Sequence, residues 1–372
     1  MKVLFAIKSL NVLGGGAERV LVDVANGLSK RGYCVSVLTF DHPGRSFFEL
    51  LPSIERFNIA CNEPGTPTKP LAFILSIPTI RRKIAKFSPD VVIGFMHSTY
   101  IPLTIALYGA NYHFVTSEHT DARHYINRPV QQCLKQWAES NAKAVTVPSE
   151  AARQSFVGTK NYHRMQVVEN PVNPQPYMAA IGTVVSAPKV IVSVGRFMHE
   201  KDHATLISAF AAVANDFPDW QLKLVGDGQL RPALEAQCRT LGIESRVEMP
   251  GYARDVASAY ADARFVVMSS IYEALPLVPI EALASGRAVI GFDDLAGLQE
   301  VICDGVNGLL VKGGVNRQDR IQSLEEGLRL LMNDLDLCIR LGAAGPASIK
   351  RFDIEAILNR WERVIHSSVH SS

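Results

Sequence analysis

The segment EALPLVPIE, residues 273–281, places Glu273 and Glu281 eight positions apart with Pro276 and Pro279 between them. Proline is tolerated in the first turn of a helix, where the backbone amides lack intrahelical partners. We therefore expect a helix to begin near Pro276, with Glu273 in the preceding loop and Glu281 about one turn inside. Carboxylates accept hydrogen bonds from sugar hydroxyls, and the amides at a helix start favour phosphate. The spacing fits a ligand that carries phosphates between two sets of hydroxyls, such as a nucleotide sugar, although a loop acid and a surface acid explain it too.

Two cations follow a predicted strand of the second half, in the segment VGRFMHEKD, where Arg196 and Lys201 stand five positions apart. Arginine offers a forked pair of donors and lysine a compact charge, which together suit a diphosphate. On this stretch alone, a solvated basic pair is the simpler interpretation. In the first half, Glu118 and His119 follow a predicted strand in TSEHTDARH, and a structural and a functional histidine are both open there.

Glycines follow two further predicted strands. The segment LNVLGGGAER contains Gly14, Gly15 and Gly16 ahead of a predicted helix. Glycine lets backbone amides approach a ligand closely, and a helix start favours an anion; a flexible turn is equally compatible. The pattern is not the G-x-G-x-x-G of dinucleotide binding. Gly226 and Gly228 in VGDGQLR bracket a tight turn, for which we expect a structural role.

The elements that carry these loops alternate between apolar strands and helices. The predicted strands are KVLFAI, YCVSVLTF, DVVIGF, HFVTSE and KAVTVP in the first half, and KVIVSVG, WQLKLVG, RVEMPG, RFVVMSS, RAVIGF and NGLLV in the second. Apolar strands separated by helices are typical of parallel sheets covered on both faces. The sequence therefore predicts an α/β protein with two doubly wound, Rossmann-like domains that face a cleft. Ligands of such sheets bind outside the carboxyl ends of the strands.

Domain boundaries follow from a segment, residues 170–188, that is rich in proline and shows little periodicity. We expect a first domain over 1–172, a linker over 173–188 and a second domain over 189–350. A C-terminal helix and tail over 351–372 would pack back on the first domain.

Composition and charge limit the classes of protein to which this chain can belong. The chain has 372 residues, 47% hydrophobic and 20% charged, which is ordinary for two or three folded domains. Residues 1–180 carry 19 Lys and Arg against 12 Asp and Glu, whereas residues 181–372 carry 19 against 24. The basic half could face an anionic membrane or a phosphate-bearing substrate. The six cysteines form no Cys-x-x-Cys pair, so neither a zinc site nor a disulfide framework is indicated. No apolar run reaches the ~20 residues of a membrane span.

The chain resembles glycosyltransferase family 4, retaining enzymes of the GT-B fold, over nearly its whole length. GGGAER is similar to the family's N-terminal glycine loop, and GRFMHEK to its G-R-x-x-x-x-K diphosphate segment. EALPLVPIEALASGRAVIGFDDLAGLQEVICDGVNGLLV resembles its E-x7-E signature with the glycine-rich block that follows. Each motif alone is weak evidence for the family, but their order and spacing together make the resemblance specific.

The resemblance implies that the second domain binds the nucleotide sugar. Glu273 would bind hydroxyls of the transferred sugar, and Glu281 would bind the ribose. Arg196 and Lys201 would hold the diphosphate and stabilise the leaving group. Leu275, inside the same signature, belongs with these donor-binding residues.

The resemblance also assigns residues of the first, acceptor-side domain. Gly15 and Gly16 would approach the diphosphate, and His119 matches a histidine near the donor sugar, with Glu118 beside it. Members of the family usually need no metal and no cofactor, because cations and a helix start supply the positive charge. Retention would proceed by attack of the acceptor hydroxyl on the face that the diphosphate leaves, assisted by a phosphate oxygen.

The chain departs from the family pattern at several positions. Ala274 stands where the family usually has Gly, Pro279 is unusual inside the signature, and EMPGYARD replaces a glycine loop near the base, which puts the base assignment in doubt. Asp334 and Asp336 form a D-x-D pair, the motif of metal-using transferases of another fold. Positions two apart on a helix point to different sides, so we interpret the pair as solvated surface.

Basic residues of the first half suggest where the acceptor lies. PTIRRKIAKF places Arg81, Arg82, Lys83 and Lys86 on one predicted helix beside the apolar LAFILSI. Such a helix can rest on anionic lipid, and a solvated helix face explains the same residues. We expect a cytoplasmic protein with a peripheral contact at the inner face of the cell membrane. Its acceptor would be a glycan or a lipid-linked acceptor, and no nucleic acid partner is expected.

The leading hypothesis is a retaining, metal-independent glycosyltransferase that moves a hexose or N-acetylhexosamine, from a UDP-sugar by preference, in surface polysaccharide or glycolipid synthesis. An oxidoreductase would need G-x-G-x-x-G and an acid ~20 residues further on, which neither half offers. A nucleotide-sugar epimerase or hydrolase of the same fold, or a non-catalytic nucleotide-sugar-binding subunit, stays open. Product analysis separates these alternatives.

Overall fold

The structure is a computed structural model that describes residues 1–62 and 70–370. The chain divides into two compact units, of which the first is Met1–Pro171 together with Ile354–Ser372 and the second is Val172–Asp353. The first unit is therefore assembled from two stretches of sequence that the second unit separates.

The first unit is a parallel sheet with helices between its strands. Its strands are β1 Lys2–Ile7, β2 Cys34–Asp41, β3 Glu55–Asn62, β4 Val91–Phe95, β5 His113–Ser117, β6 Ala144–Val147 and β7 Met165–Val167. Its helices are α1 Gly16–Lys30, α2 Pro70–Phe87, α3 His97–Leu107, α4 Pro129–Ser140, α5 Glu150–Ser155 and, after the second unit, α13 Ile354–His370. The described strands follow the order β3-β2-β1-β4-β5-β6-β7. Central strands such as β4 are buried along their whole length, which is why they read as apolar runs.

Helix α13 belongs to the core of the first unit. The ring of Trp361 is 1% exposed and lies nearly parallel to that of Phe95, with centroids 5.7 Å apart, and edge-on to that of Phe5 at 6.4 Å. A Cβ atom on Gly27 of α1 would stand 2.5 Å from the side chain of Leu358, so glycine permits the close approach of α1 and α13. The chain thus returns from the second unit to complete the first.

The second unit repeats the architecture. Its strands are β8 Val190–Val194, β9 Gln221–Val225, β10 Val247–Gly251, β11 Phe265–Met268, β12 Ala288–Phe292 and β13 Gly308–Val311. Its helices are α6 His203–Ala214, α7 Arg231–Thr240, α8 Val256–Ala261, α9 Leu277–Ala284, α10 Ala296–Gln299, α11 Arg317–Asn333 and α12 Leu335–Ser348. The described strands run parallel in the order β10-β9-β8-β11-β12-β13. The predicted pair of doubly wound parallel sheets is confirmed.

The segment 173–188, which the sequence predicts as a linker, packs on the second unit. Tyr177 and Ala180 are at most 4% exposed. The buried guanidinium of Arg287 donates to the Ala180 carbonyl at 3.0 Å and to the Thr183 hydroxyl at 2.6 Å. This segment is therefore anchored to its unit by a buried arginine.

Two strands, β3 and β7, were not predicted from the sequence. Strand β3 alternates polar and apolar residues, because Arg56 and Asn58 donate to the buried carboxylate of Asp41 at the end of β2. Strand β7 has three residues, too few for a pattern to stand out. Both strands lie at the edges of the sheet, where continuous apolar character is not required.

Candidate active site

Hydrogen bonds join the loop after β8 to the loop after β11, the strand next to it in the sheet. The Ile271 amide donates to the Glu200 carbonyl at 2.8 Å, and the Ser269 hydroxyl donates to the Lys201 carbonyl at 2.8 Å. Because parallel strands end at a common edge, both loops lie at the carboxyl edge of the sheet. These bonds set the position of one loop relative to the other.

Lys201 and Glu273 form an ion pair at this edge, in which the lysine Nζ donates to Oε1 of the carboxylate. The Ser270 hydroxyl donates to the same oxygen at 3.1 Å. The lysine and glutamate side chains are 20% and 18% exposed, so both remain accessible from solvent. The structure thus brings together two of the predicted donor-site residues, which are 72 positions apart in the sequence.

Arg196 is the more exposed cation of the β8 loop. Its side chain is 44% exposed, and Nη2 lies 3.8 Å from Oε1 of Glu200. A long and weakly held ion pair of this kind contributes little to stability. The guanidinium can therefore turn toward an anion at the carboxyl edge at little energetic cost.

Two glycines shape the loops after β8 and β9 by allowing backbone contact. A Cβ atom on Gly226 would stand 1.9 Å from the Gly195 carbonyl oxygen, and one on Gly228 would stand 2.6 Å from the Phe197 carbonyl oxygen. The Phe197 amide donates to the Asp227 carbonyl at 2.8 Å. The structural role that we expected for Gly226 and Gly228 agrees with this packing.

Helix α9 begins where the prolines predict. Pro276 is the N-cap, Leu277 is the first helical residue, and Pro279 stands in the first turn, where its missing amide costs no hydrogen bond. The N-cap has no side-chain hydrogen bond, so the first amides of the helix and its positive end stay open to an anion. Glu281 lies one turn inside.

Glu281 is held more deeply than Glu273. It is 4% exposed, and its Oε2 accepts a hydrogen bond from the hydroxyl of buried Tyr260 at 2.9 Å. Leu275 is 5% exposed and packs in the core of the unit, so its contact with a donor would be through the backbone. Of the four polar donor-site residues, Arg196, Lys201 and Glu273 are thus the accessible ones.

The glycine loop lies in the first unit, at the start of α1. Gly14 has φ +69°, Gly15 is the N-cap, and Gly16 is the first helical residue. A Cβ atom on Gly15 would stand 1.9 Å from a carboxylate oxygen of Glu18, which folds back over the helix start. The chain's own carboxylate therefore lies at the amides that we assigned to a phosphate.

A buried carboxylate follows β5. Oε2 of Glu118 accepts hydrogen bonds from the hydroxyls of Tyr100 and Tyr125 at 2.6 and 2.5 Å, and Nδ1 of His97 lies 3.8 Å away. Burial alone would raise the pKa of Glu118, but His97, the charge of Lys135 and the tyrosine hydroxyl outweigh it and hold the pKa below its ordinary value. Glu118 is therefore an ionised structural anchor for the loop that carries His119.

His119 is held as a neutral ring. It stacks on Phe95 with ring centroids 4.9 Å apart and an interplanar angle of 17°, and its Nε2 lies 2.9 Å from the Ser117 hydroxyl. Burial lowers the pKa of His119 to about 4, against the opposing charge of Glu118. A neutral imidazole can orient a sugar hydroxyl by hydrogen bonding without adding charge.

The basic residues of α2 divide into two pairs. Arg81 donates to the carbonyls of Ala106 and Tyr108 at 2.6 and 2.9 Å and thus caps the end of α3, and Lys83 lies over the ring of Phe57. The other pair, Arg82 and Lys86, is exposed. In the part of the chain that the structure describes, no helix is long and apolar enough to cross a bilayer.

In the described ranges, no group of three His, Cys, Asp or Glu side chains could hold a metal ion. The D-x-D pair lies at the junction of two helices. Asp334 caps α12 by accepting from the Leu337 amide at 2.8 Å, and Asp336 stands exposed in the first turn. This local role agrees with the solvated interpretation of the pair.

Sequence reasoning missed the polar partners of the site. Tyr260 on Glu281, Ser270 on Glu273 and the tyrosines around Glu118 carry no motif of their own. Only Ser270 had a signal, since it is the last residue of the predicted strand RFVVMSS. The tyrosines stand 7 to 21 positions from the carboxylates they contact and become their neighbours only in the fold.

Comparisons with known proteins show which family models and relatives the chain matches. The model "Glycosyltransferase Family 4" matches residues 14–176, and "Glycosyl transferases group 1" matches residues 180–347. A relative from Campylobacter jejuni is 27% identical over 98% of both chains; it is the GalNAc-α-(1→4)-GalNAc-α-(1→3)-diNAcBac-PP-undecaprenol α-1,4-N-acetyl-D-galactosaminyltransferase.

Solved structures show the same fold. Sucrose-phosphate synthase from Thermosynechococcus elongatus superposes with a TM-score of 0.86, at 19% identity and over 100% of both chains. The Anabaena protein Alr3699/HepE in complex with UDP-glucose superposes with a TM-score of 0.80, at 21% identity, over 99% of this chain and 100% of that one. The two parallel-sheet units have the GT-B fold of glycosyltransferases. This chain belongs to glycosyltransferase family 4.

Proposed function

We propose that this glycosyltransferase moves a hexose or N-acetylhexosamine from a UDP-sugar to a glycan or lipid-linked acceptor, with retention of configuration and without a metal ion. The acceptor class follows that of the Campylobacter jejuni relative, whose name specifies an undecaprenol-diphosphate-linked glycan. The nucleotide is argued from the Anabaena neighbour, which was solved with UDP-glucose. The synthesis of a surface polysaccharide or glycolipid is the process that joins these two substrates.

The observation that carries the proposal is the Lys201–Glu273 pair beside the start of α9. A diphosphate needs cations and backbone amides, and the transferred sugar needs a hydroxyl acceptor. In the absence of donor the lysine and the carboxylate neutralise each other. When the diphosphate arrives, Lys201 can bind it while Glu273 accepts from the sugar.

Transfer with retention needs no protein nucleophile in this arrangement. The C1–O bond to the diphosphate breaks, and the acceptor hydroxyl forms the new C1–O bond on the same face. Its proton passes to a phosphate oxygen of the leaving group. Arg196, Lys201 and the helix start stabilise the negative charge that develops on the diphosphate, which is the role that a metal has elsewhere. The α linkage in the relative's name is what retention yields from an α-linked donor.

The first unit would contribute His119 and the loop of Gly15 and Gly16. Neutral His119 suits a hydrogen bond to a hydroxyl of the donor sugar. For a phosphate to reach the amides of the glycine loop, the carboxylate of Glu18 must turn away, because like charges repel and the two groups would share one space.

The first unit also offers a surface for an anionic membrane. Exposed Arg82 and Lys86 lie on α2 with Leu71, Ile74 and Leu75, which are 69%, 58% and 71% exposed. Their spacing puts all five on one side of the helix. Basic and apolar side chains on one helix face suit a peripheral contact with anionic lipid, where a lipid-linked acceptor resides.

Thermal stabilisation tests the donor part of the proposal. The protein is unfolded with EDTA present, in the presence of UDP, GDP, ADP, UDP-glucose or UDP-N-acetylgalactosamine. A shift with UDP and its sugars supports a metal-free donor site, since a ligand of the folded state raises the unfolding midpoint. No shift with any of them contradicts the proposal. Product analysis with a radiolabelled donor then separates transfer from hydrolysis or epimerisation.

A further inference from the structure

Arg320 occupies an unusual position for a cation. It stands in the first turn of α11, where the positive end of the helix disfavours positive charge. It is also 8% exposed, although arginine is rarely buried without a partner. Its Nε is buried and finds no hydrogen-bond partner among the described residues. Because burial of a partly unsatisfied cation destabilises the folded state, we expect Arg320 to have a compensating role in the fold or the site.

The contacts of Arg320 lie on two loops of the carboxyl edge. Nη1 donates to Oδ2 of Asp294, after β12, at 2.5 Å, and Nη2 donates to the carbonyl of Ser270, after β11, at 3.2 Å. The guanidinium lies 3.7 Å from the ring centroid of Phe292, the last residue of β12. One side chain thus joins the first turn of α11 to two neighbouring loops.

Ser270 connects this arginine to the site. Its carbonyl is held by Arg320, and its hydroxyl donates to the Glu273 carboxylate at 3.1 Å. On the other side of the loop, a Cβ atom on Gly297 would stand 2.6 Å from the Glu273 carbonyl, so α10 packs directly against it. The Lys201 carbonyl accepts from the Ser269 hydroxyl, a bond that does not use the Ser270 carbonyl held by Arg320.

We propose that Arg320 is a positioning residue that sets the location of the Glu273 carboxylate by holding the Ser270 backbone against α11 and Asp294. It acts through Ser270 and does not itself touch the donor. Loss of Arg320 therefore affects recognition of the sugar more than binding of the nucleotide diphosphate. This inference rests on the proposed function, in which Glu273 binds the transferred sugar.

The test compares the dissociation constants of UDP and of UDP-glucose or UDP-N-acetylgalactosamine, whichever stabilises the wild type more. For Arg320→Met we expect the UDP constant to stay within about threefold and the UDP-sugar constant to rise by about tenfold, the scale of a lost orienting partner. Arg320→Lys keeps one charge but cannot reach Asp294 and Ser270 together, so we expect the same direction. A reversibly unfolded fraction raises both apparent dissociation constants by the same factor, so the ratio of the two constants still tests the inference in a partly unfolded variant.

Arg329→Met is the matched control. Arg329 lies on the same helix and pairs with Asp216 and Glu325 at the surface, away from the carboxyl-edge loops. It should leave both constants unchanged. An unchanged ratio of the two dissociation constants in both Arg320 variants overturns the inference. This holds whether both constants stay at the wild-type values or rise equally, and an equal rise would indicate general damage. A wild type that binds neither ligand contradicts the proposed function instead.

Discussion

The ion pair of Lys201 and Glu273 predicts how removal of each side chain acts. Lys201→Ala should weaken binding of UDP by about tenfold to a hundredfold, because a charge-assisted hydrogen bond contributes about 1.5–3 kcal/mol. Glu273→Gln should reduce sugar transfer more than UDP affinity, since the carboxylate serves the sugar. Calorimetric titration with UDP and initial rates of transfer measure the two effects.

Lys223→Ala is the control for the ion pair. Lys223 pairs with Glu248 at 3.2 Å between two strands of the same unit, away from the carboxyl-edge loops. It should change neither quantity. Equal losses in Lys201→Ala and Lys223→Ala would contradict the assignment of Lys201 to the diphosphate.

Two histidines with lowered pKa values, His119 and His203, predict how stability depends on pH. Burial lowers the pKa of His119 to about 4 and that of His203 to about 3, whereas an unfolded histidine titrates near 6.5. As pH falls from about 6.5 toward 4, the unfolded chain binds protons that the folded protein does not, so the free energy of unfolding falls. The thermal midpoint should therefore drop between about pH 7 and about pH 5.

Substitution of either histidine isolates its share of this drop. His119→Asn and His203→Asn should each make the pH dependence of the midpoint shallower. His163→Asn, at an exposed position, should leave it as in the wild type. An undiminished drop of the midpoint in both His119→Asn and His203→Asn would show that other groups cause the drop.

The loops after β8 and β9 predict a large difference between two glycines. Gly226→Ala puts a Cβ atom 1.9 Å from a backbone oxygen at φ +147°, whereas Gly242, at the end of α7 with φ +67°, has open space around it. We expect Gly242→Ala to lower the free energy of unfolding by roughly 1–2 kcal/mol, because alanine is strained in the left-handed region. Gly226→Ala should lower it by about 2–5 kcal/mol, because the neighbouring backbone must also move. Denaturant unfolding measures both, and similar costs would contradict the close approach.

At the scale of elements, the sequence predicted what local pattern controls. The prolines placed the start of α9 at Pro276, and the apolar runs placed the central strands. Strand β3 was missed because Arg56 serves a buried Asp41 that lies 15 residues earlier. Arg320 was missed for the same reason, since its proposed role depends on its hydrogen bond to the carbonyl of Ser270, 50 residues away. Such long-range polar contacts leave no periodic trace in a sequence.

At the scale of the whole molecule, the charge on α2 predicts membrane association. Arg82→Glu with Lys86→Glu should reduce binding to phosphatidylglycerol vesicles at least about tenfold, since each basic residue near an anionic surface contributes about 1 kcal/mol. Arg317→Glu with Lys350→Glu, two exposed positions of the second unit, is the matched control. Sedimentation with vesicles at several salt concentrations measures the difference. Equal binding by both double variants would contradict a contact through α2.

The return of α13 to the first unit has a consequence for synthesis on the ribosome. Residues up to Pro171 emerge first, yet Trp361, which packs against Phe5 and Phe95, emerges only after the entire second unit. The second unit is a continuous stretch and has all its residues available earlier. The usual order of domain maturation is thereby reversed: the unit that is translated first reaches its native packing last.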